Sequence, residues 1–237
     1  MGSEAGGPIE FHITGFKKFQ GVADNPTEIL VGKFEEHMRK HGMPSGTQLG
    51  SCTVLETAGD GALAPLLQLL NAPHEGIENP LIISTRDSGD VKLDRDSLSV
   101  PQKRIVWVHF GVNSVSNNFA VERRAVNEAT FRYPDELGWQ PQRVPIVLED
   151  GPISFIRETT LPVRDIVSAL SKEGFDVMES YDAGRFVCNY VYYHSLRQAQ
   201  KNGVKSLFVH VPLFMVINQE RQLQFIAALL KVLTIFC

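Results

Sequence analysis

Cys188 stands where an Asp182-Ala183-Gly184 turn leads through Arg185-Phe186-Val187 into a run with helical patterning. A thiol in a first helical turn faces aligned N–H dipoles, which favour the thiolate that attacks carbonyl carbon. Its plain alternative is a small buried hydrophobe. Cys52, inside an apolar strand pattern, takes that alternative more readily, and Cys237, the last residue, is expected to be exposed and idle. A thiol nucleophile needs a base or ion-pair partner, usually a histidine brought near by the fold. Two histidines close apolar strand patterns: His109 in Trp107-Val108-His109-Phe110-Gly111 and His210 in Phe208-Val209-His210-Val211-Pro212. Composition does not choose between them, and each also reads as a hydrogen-bonded core imidazole. His194 lies on another face of the cysteine's helix and makes a poor partner. His37 and His41, spaced like a metal pair, lack a Glu-x-x-His context and are expected at the surface.

The run Glu122-Arg123-Arg124-Ala125-Val126-Asn127-Glu128, followed by Arg132 and Pro134-Asp135, reads on pattern alone as a solvated charged segment. Its functional reading has Glu122 orienting a histidine, with Arg132 or a nearby amide stabilising an oxyanion. Thr57-Ala58-Gly59-Asp60-Gly61-Ala62 matches neither a phosphate-binding loop nor the dinucleotide fingerprint, so no nucleotide cofactor is indicated. Three cysteines without a CxxC pair argue against a disulfide framework and a structural zinc site. The chain has 237 residues, 43% hydrophobic and 21% charged, which suits a folded domain with a sizeable core and excludes a fibrous or wholly disordered chain. A net charge of −4 with no basic tract disfavours nucleic acid and anionic membrane, leaving a small or peptidic partner. No apolar run reaches the roughly 18–20 residues of a membrane helix. The opening Met1-Gly2-Ser3-Glu4-Ala5-Gly6-Gly7 lacks a secretory signal, and Gly6 replaces the Ser or Thr that myristoylation needs. A reducing, cytoplasmic setting is the expectation.

Positioning these residues falls to an alternation of strands and helices. Strand patterns cover Ile9 to Thr14, Gly50 to Leu55, Arg104 to Phe110, Phe175 to Met178 and Ser206 to Val211. Helical periodicity covers Asn25-Pro26 to Gly42, Ala62 to Leu70, Leu161 to Lys172, Arg185 to Lys201 and Asn218 to Leu233. This order predicts one α/β domain over 8–237, a three-layer α/β/α sandwich around a mostly parallel, mixed sheet. Residues 1–7 are expected to be disordered. The Pro-, Ser-, Asp- and Gly-rich stretch 72–103, with Leu81-Ile82-Ile83 as its apolar island, is expected to be a flexible insertion.

Several of these segments together resemble the pyroglutamyl peptidase I (pyrrolidone-carboxylate peptidase) family, in wording closest to its plant forms. Thr14-Gly15-Phe16-Lys17-Lys18-Phe19-Gln20-Gly21 with Asn25-Pro26 is similar to the family's amino-terminal pattern. Val121 to Asn127 resembles its glutamate signature, Asp182 to Asn189 with Tyr192-Tyr193-His194-Ser195 its cysteine signature, and Val209-His210-Val211-Pro212 its histidine segment. The resemblance implies a cysteine exopeptidase that removes an N-terminal pyroglutamyl residue from peptides, without metal or cofactor. In it Cys188 is the nucleophile, His210 the general base and acid, and Glu122 the group orienting His210. Arg132 polarises the substrate or supports the oxyanion beside the Cys188 N–H. Phe16 and Phe19 wall the pyrrolidone pocket, Asn25 is a polar contact, and homo-oligomeric assembly is left open. Gly111-Val112-Asn113 departs from the family's usual Gly-Gln, so an amide near the substrate is either lost or supplied by Asn113. The rival reading is a non-catalytic binding or scaffold protein that keeps the fold.

Overall fold

The computed structural model describes residues 7–71 and 103–237. The expected disordered start, but for Gly7, and the expected insertion, but for Lys103, lie outside the described residues. Gly7 is tied down, its carbonyl accepting from Arg104 Nε at 2.9 Å, and Lys103 pairs with Glu10 at 3.1 Å.

The elements are β1 (Ile9–Phe16), α1 (Pro26–His41), β2 (Thr47–Leu55), α2 (Gly59–Leu70), β3 (Arg104–Val112), β4 (Phe119–Glu122) and β5 (Arg124–Val126), then β6 (Ile156–Glu158), α3 (Val163–Lys172), β7 (Val177–Ser180), α4 (Val187–Asn202), β8 (Lys205–Val211) and α5 (Gln219–Leu233). One sheet has the order β2-β1-β3-β8-β4-β7, and β5 pairs with β6 separately. β1, β2, β3 and β8 are parallel, whereas β4 runs antiparallel to β8 and carries β7 parallel to itself. Helices α1, α3 and α5 cover one face and α2 and α4 the other, which is the expected three-layer arrangement.

Period-two alternation sorts the strand residues between these layers. In β8, Leu207, Val209 and Val211 enter the core beneath α5, while Phe208 packs toward α4. In β4, Phe119 and Val121 take the α5 side, so Ala120 and Glu122 face the α4 side. Phe119 stacks on Phe225 with centroids 3.7 Å apart, and burying such a ring contributes about 2–3 kcal/mol.

Helix α1 begins as its sequence predicts: the Asn25 side chain accepts from Thr27 N–H at 3.0 Å, and Pro26 takes the first helical position. Gly15 permits its approach to β1, since a Cβ there would lie 2.5 Å from the Thr27 carbonyl oxygen. Four expectations need correction. His37 is buried and stacks on His41 with centroids 4.2 Å apart, because it lies on the core face of α1. Cys237 is half-buried, and burial pushes its thiol up. Helix α2 starts at Gly59 and tolerates Pro65 within it. The strand expected from Phe175 starts at Val177, Phe175 instead packing edge-on against Phe225.

Candidate active site

Cys188 occupies the first turn of α4, after the N-cap residue Phe186, whose side chain makes no capping hydrogen bond. The first N–H groups of a helix have no intrahelical acceptor, so those of Val187 and Cys188 are available to an incoming oxygen. The sulfur packs under the end of β3, where Gly111 leaves room. A Cβ at Gly111 would come 2.8 Å from both Cys188 Sγ and Phe208 Cζ.

Strand register brings up the other two groups. Gly111 pairs with His210, and His210 with Ala120, so Glu122, two residues along β4, shares their face. Glu122 Oε1 and His210 Nδ1 are 2.7 Å apart, and the imidazole also hydrogen-bonds Cys188. Glu122 is 1% exposed, against the solvated position its charged neighbours suggest. The arginines resolve this by pointing elsewhere: Arg123 pairs with Glu179 at 2.5 Å, and Arg124 donates to the Tyr181 carbonyl. Burial alone draws the His210 imidazole down, but its bonds to Cys188 and Glu122 outweigh that and raise it to about 10. The Glu122 carboxylate and the sulfur thus both favour the protonated form of the ring. Helix α4 also fixes the acidic strand, since Tyr192 donates its hydroxyl to the Glu122 carbonyl at 2.9 Å. Asn189, adjacent to the cysteine, pairs with the Val126 N–H and carbonyl at 2.9 and 2.8 Å.

The competing histidine takes the structural alternative. His109 is buried between Thr14 Oγ1 and Ser195 Oγ, at 2.7 Å from each, and burial lowers it to about 3. His194 is buried against Tyr190 on the other side of α4 and is lowered by burial to about 4. Cys52 lies in β2, away from both, and burial pushes it up to about 12.

Cys188, His210 and Glu122 open on a cleft of about 420 Å³. Phe16, Phe19, Phe186 and Val187 form an apolar wall, and Asn25, Thr57 and Asn113 add polar groups. Asn25 Nδ2 and Thr57 Oγ1 both donate to the Lys17 carbonyl, at 2.9 and 2.6 Å, which holds the Phe16–Phe19 loop in place. Thr57, Phe186 and Val187 escape sequence reasoning. The signal that could find the last two is an apolar pair just before the cysteine, where a polar cap is usual. Arg132 is exposed and outside the cleft walls, with its carbonyl accepting from Gln140. The first turn of α4, which carries the sulfur, has backbone N–H groups without intrahelical acceptors. Among the described residues no cluster of three His, Cys, Asp or Glu side chains could hold a metal ion.

A sequence profile described as pyroglutamyl peptidase matches residues 92–224, a span that contains Glu122, Cys188 and His210. The pyrrolidone-carboxylate peptidase of Thermococcus litoralis is 31% identical over 202 residues, 84% of this chain and 74% of that protein. The chain belongs to the pyroglutamyl peptidase family. The pyrrolidone-carboxylate peptidase of Klebsiella pneumoniae is 30% identical over 201 residues, 84% of this chain and 76% of that one. The solved pyrrolidone carboxyl peptidase of Thermococcus litoralis matches 94% of this chain and 92% of its own, with a TM-score of 0.70 at 26% identity. That of Fervidobacterium islandicum shares the fold over 97% and 100% of the two chains, with a TM-score of 0.75 at 22% identity. Within this pyroglutamyl peptidase framework, Val112 and Asn113 both line the cleft, so an amide stands beside the valine.

Proposed function

We propose that this member of the pyroglutamyl peptidase family removes N-terminal pyroglutamate from peptides through a thioacyl intermediate on Cys188, with His210 as acid and base. The observation that carries the reading is the buried Glu122–His210–Cys188 chain ending at an aromatic-walled cleft. A pyroglutamyl residue has a flat lactam ring and no positive charge, which suits Phe16 and Phe19 with a few polar neighbours. Cys188 as thiolate attacks the pyroglutamyl carbonyl, and the N–H groups of Val187 and Cys188 receive the oxyanion. Imidazolium His210 donates its proton to the leaving amine. Water then attacks the thioester, giving a proton to His210, and the thiolate leaves as pyroglutamate is released. Glu122 holds the ring through Nδ1, keeping Nε2 toward sulfur and amine.

A reducing compartment keeps thiols unpaired, and the three cysteines form no disulfide, so we propose a cytoplasmic setting. Among the described residues no helix is long and apolar enough to cross a membrane. From the wording of its motifs alone, we also propose kinship with the family's plant forms. Acid quenching during turnover of a pyroglutamyl peptide tests the chemistry. The expected result is a pyroglutamyl adduct on the fragment containing Cys188. Product formation in the Cys188→Ser variant at the wild-type rate would contradict the assignment.

A further inference from the structure

The register of the sheet gives the cleft a direction. Phe16 lies two residues beyond Thr14, which pairs with His109, so it is level with Gly111. Gly111 pairs with His210, His210 with Ala120, and Ala120 with Met178. One row thus crosses five strands in the order Phe16, Gly111, His210, Ala120, Met178, and Phe16, His210, Ala120 and Met178 all line the cleft. Under the function proposed above, the pyrrolidone ring sits at the Phe16 end and Cys188 lies under Gly111. The proton donor of the leaving amine, His210, must stand on the leaving side of the scissile bond. The rest of the peptide therefore continues toward Ala120 and Met178. Met178 is two strands from His210, roughly 10 Å at the usual strand spacing. That is within reach of the side chain that follows the scissile bond.

The residues along this end fit such a role. Ala120 is small, leaving height above β4 for a peptide chain. Met178 is 47% exposed on the edge strand β7, although its alternate neighbours Val177 and Glu179 are engaged on the other face. Ser180 follows on the cleft side. An unbranched thioether adapts to side chains of varied shape and offers them an apolar contact.

The geometry points to Met178, flanked by Ala120 and Ser180, as the subsite for the residue after pyroglutamate, selecting non-polar side chains there. The inference rests on the proposed peptidase function. It is tested by kcat/KM for pyroglutamyl-leucine, pyroglutamyl-glycine and pyroglutamyl-aspartate amides. Wild type is expected to prefer leucine over glycine about tenfold, within the range of apolar pocket discrimination. Met178→Ala should lower the leucine-to-glycine ratio at least threefold, Met178→Leu should restore it, and Met178→Lys should raise the aspartate-to-leucine ratio. These ratios cancel any general loss of activity. Turnover with a leucine-to-glycine ratio that Met178→Ala leaves unchanged would overturn the subsite alone. Failure of wild type to cleave any pyroglutamyl amide would overturn the peptidase function and the subsite together.

Discussion

A single thiol should stand out chemically. Burial pushes Cys52 up to about 12 and also raises Cys237, whereas Cys188 shares a hydrogen bond with an imidazole raised to about 10. Iodoacetamide near neutral pH is therefore expected to modify Cys188 at least tenfold faster than either other cysteine, as read by peptide mass mapping. Equal rates would show that His210 does not activate the sulfur. Glu122→Gln should leave the thiol in place but release the imidazole from its anionic partner, lowering kcat by roughly 10²–10⁴. The sequence makes Cys188 legible through the turn that precedes it. It does not separate His210 from His109, because both end apolar strands and only their neighbours differ: a carboxylate and a thiol around one, two hydroxyls around the other. Glu122 is illegible by pattern, since its arginine neighbours suggest solvent while their guanidinium groups are bound elsewhere.

At the level of elements, α4 and the ends of β3, β8 and β4 assemble the site, and their fit depends on one missing side chain. Gly111→Ala places a methyl 2.8 Å from Cys188 Sγ and Phe208 Cζ, so the thiol must move. Displacements of this size are expected to lower kcat/KM about 100-fold. A variant with wild-type activity would show that the sulfur does not work from this position. The long helices and buried strands are readable because their apolar periods run for several turns or pleats. Strands β4, β5 and β6 have only three or four residues each, too short for a period to emerge, and their pairing is set by register with distant segments. The site suffers most from this, because the carboxylate rides on β4.

Across the whole molecule, buried histidines tie stability to pH. His109 falls from an ordinary 6.5 to about 3 in the fold, so the unfolded chain binds more protons between those values. Its contribution is complete above pH 6.5 and is lost as pH falls toward 3. His109→Gln lacks this group, so its stability deficit in urea titrations is expected to shrink by roughly 3 kcal/mol between pH 6.5 and 4. A deficit independent of pH would show that His109 is not buried as a neutral ring. The molecule as a whole then has one task to demonstrate. The most direct measurement is release of a fluorescent amine from a pyroglutamyl amide, beside the prolyl amide and the Cys188→Ser variant. The expected result is turnover of the pyroglutamyl amide alone, abolished in Cys188→Ser, whereas a folded wild-type chain with no turnover would contradict the peptidase and favour a binding protein on the same fold.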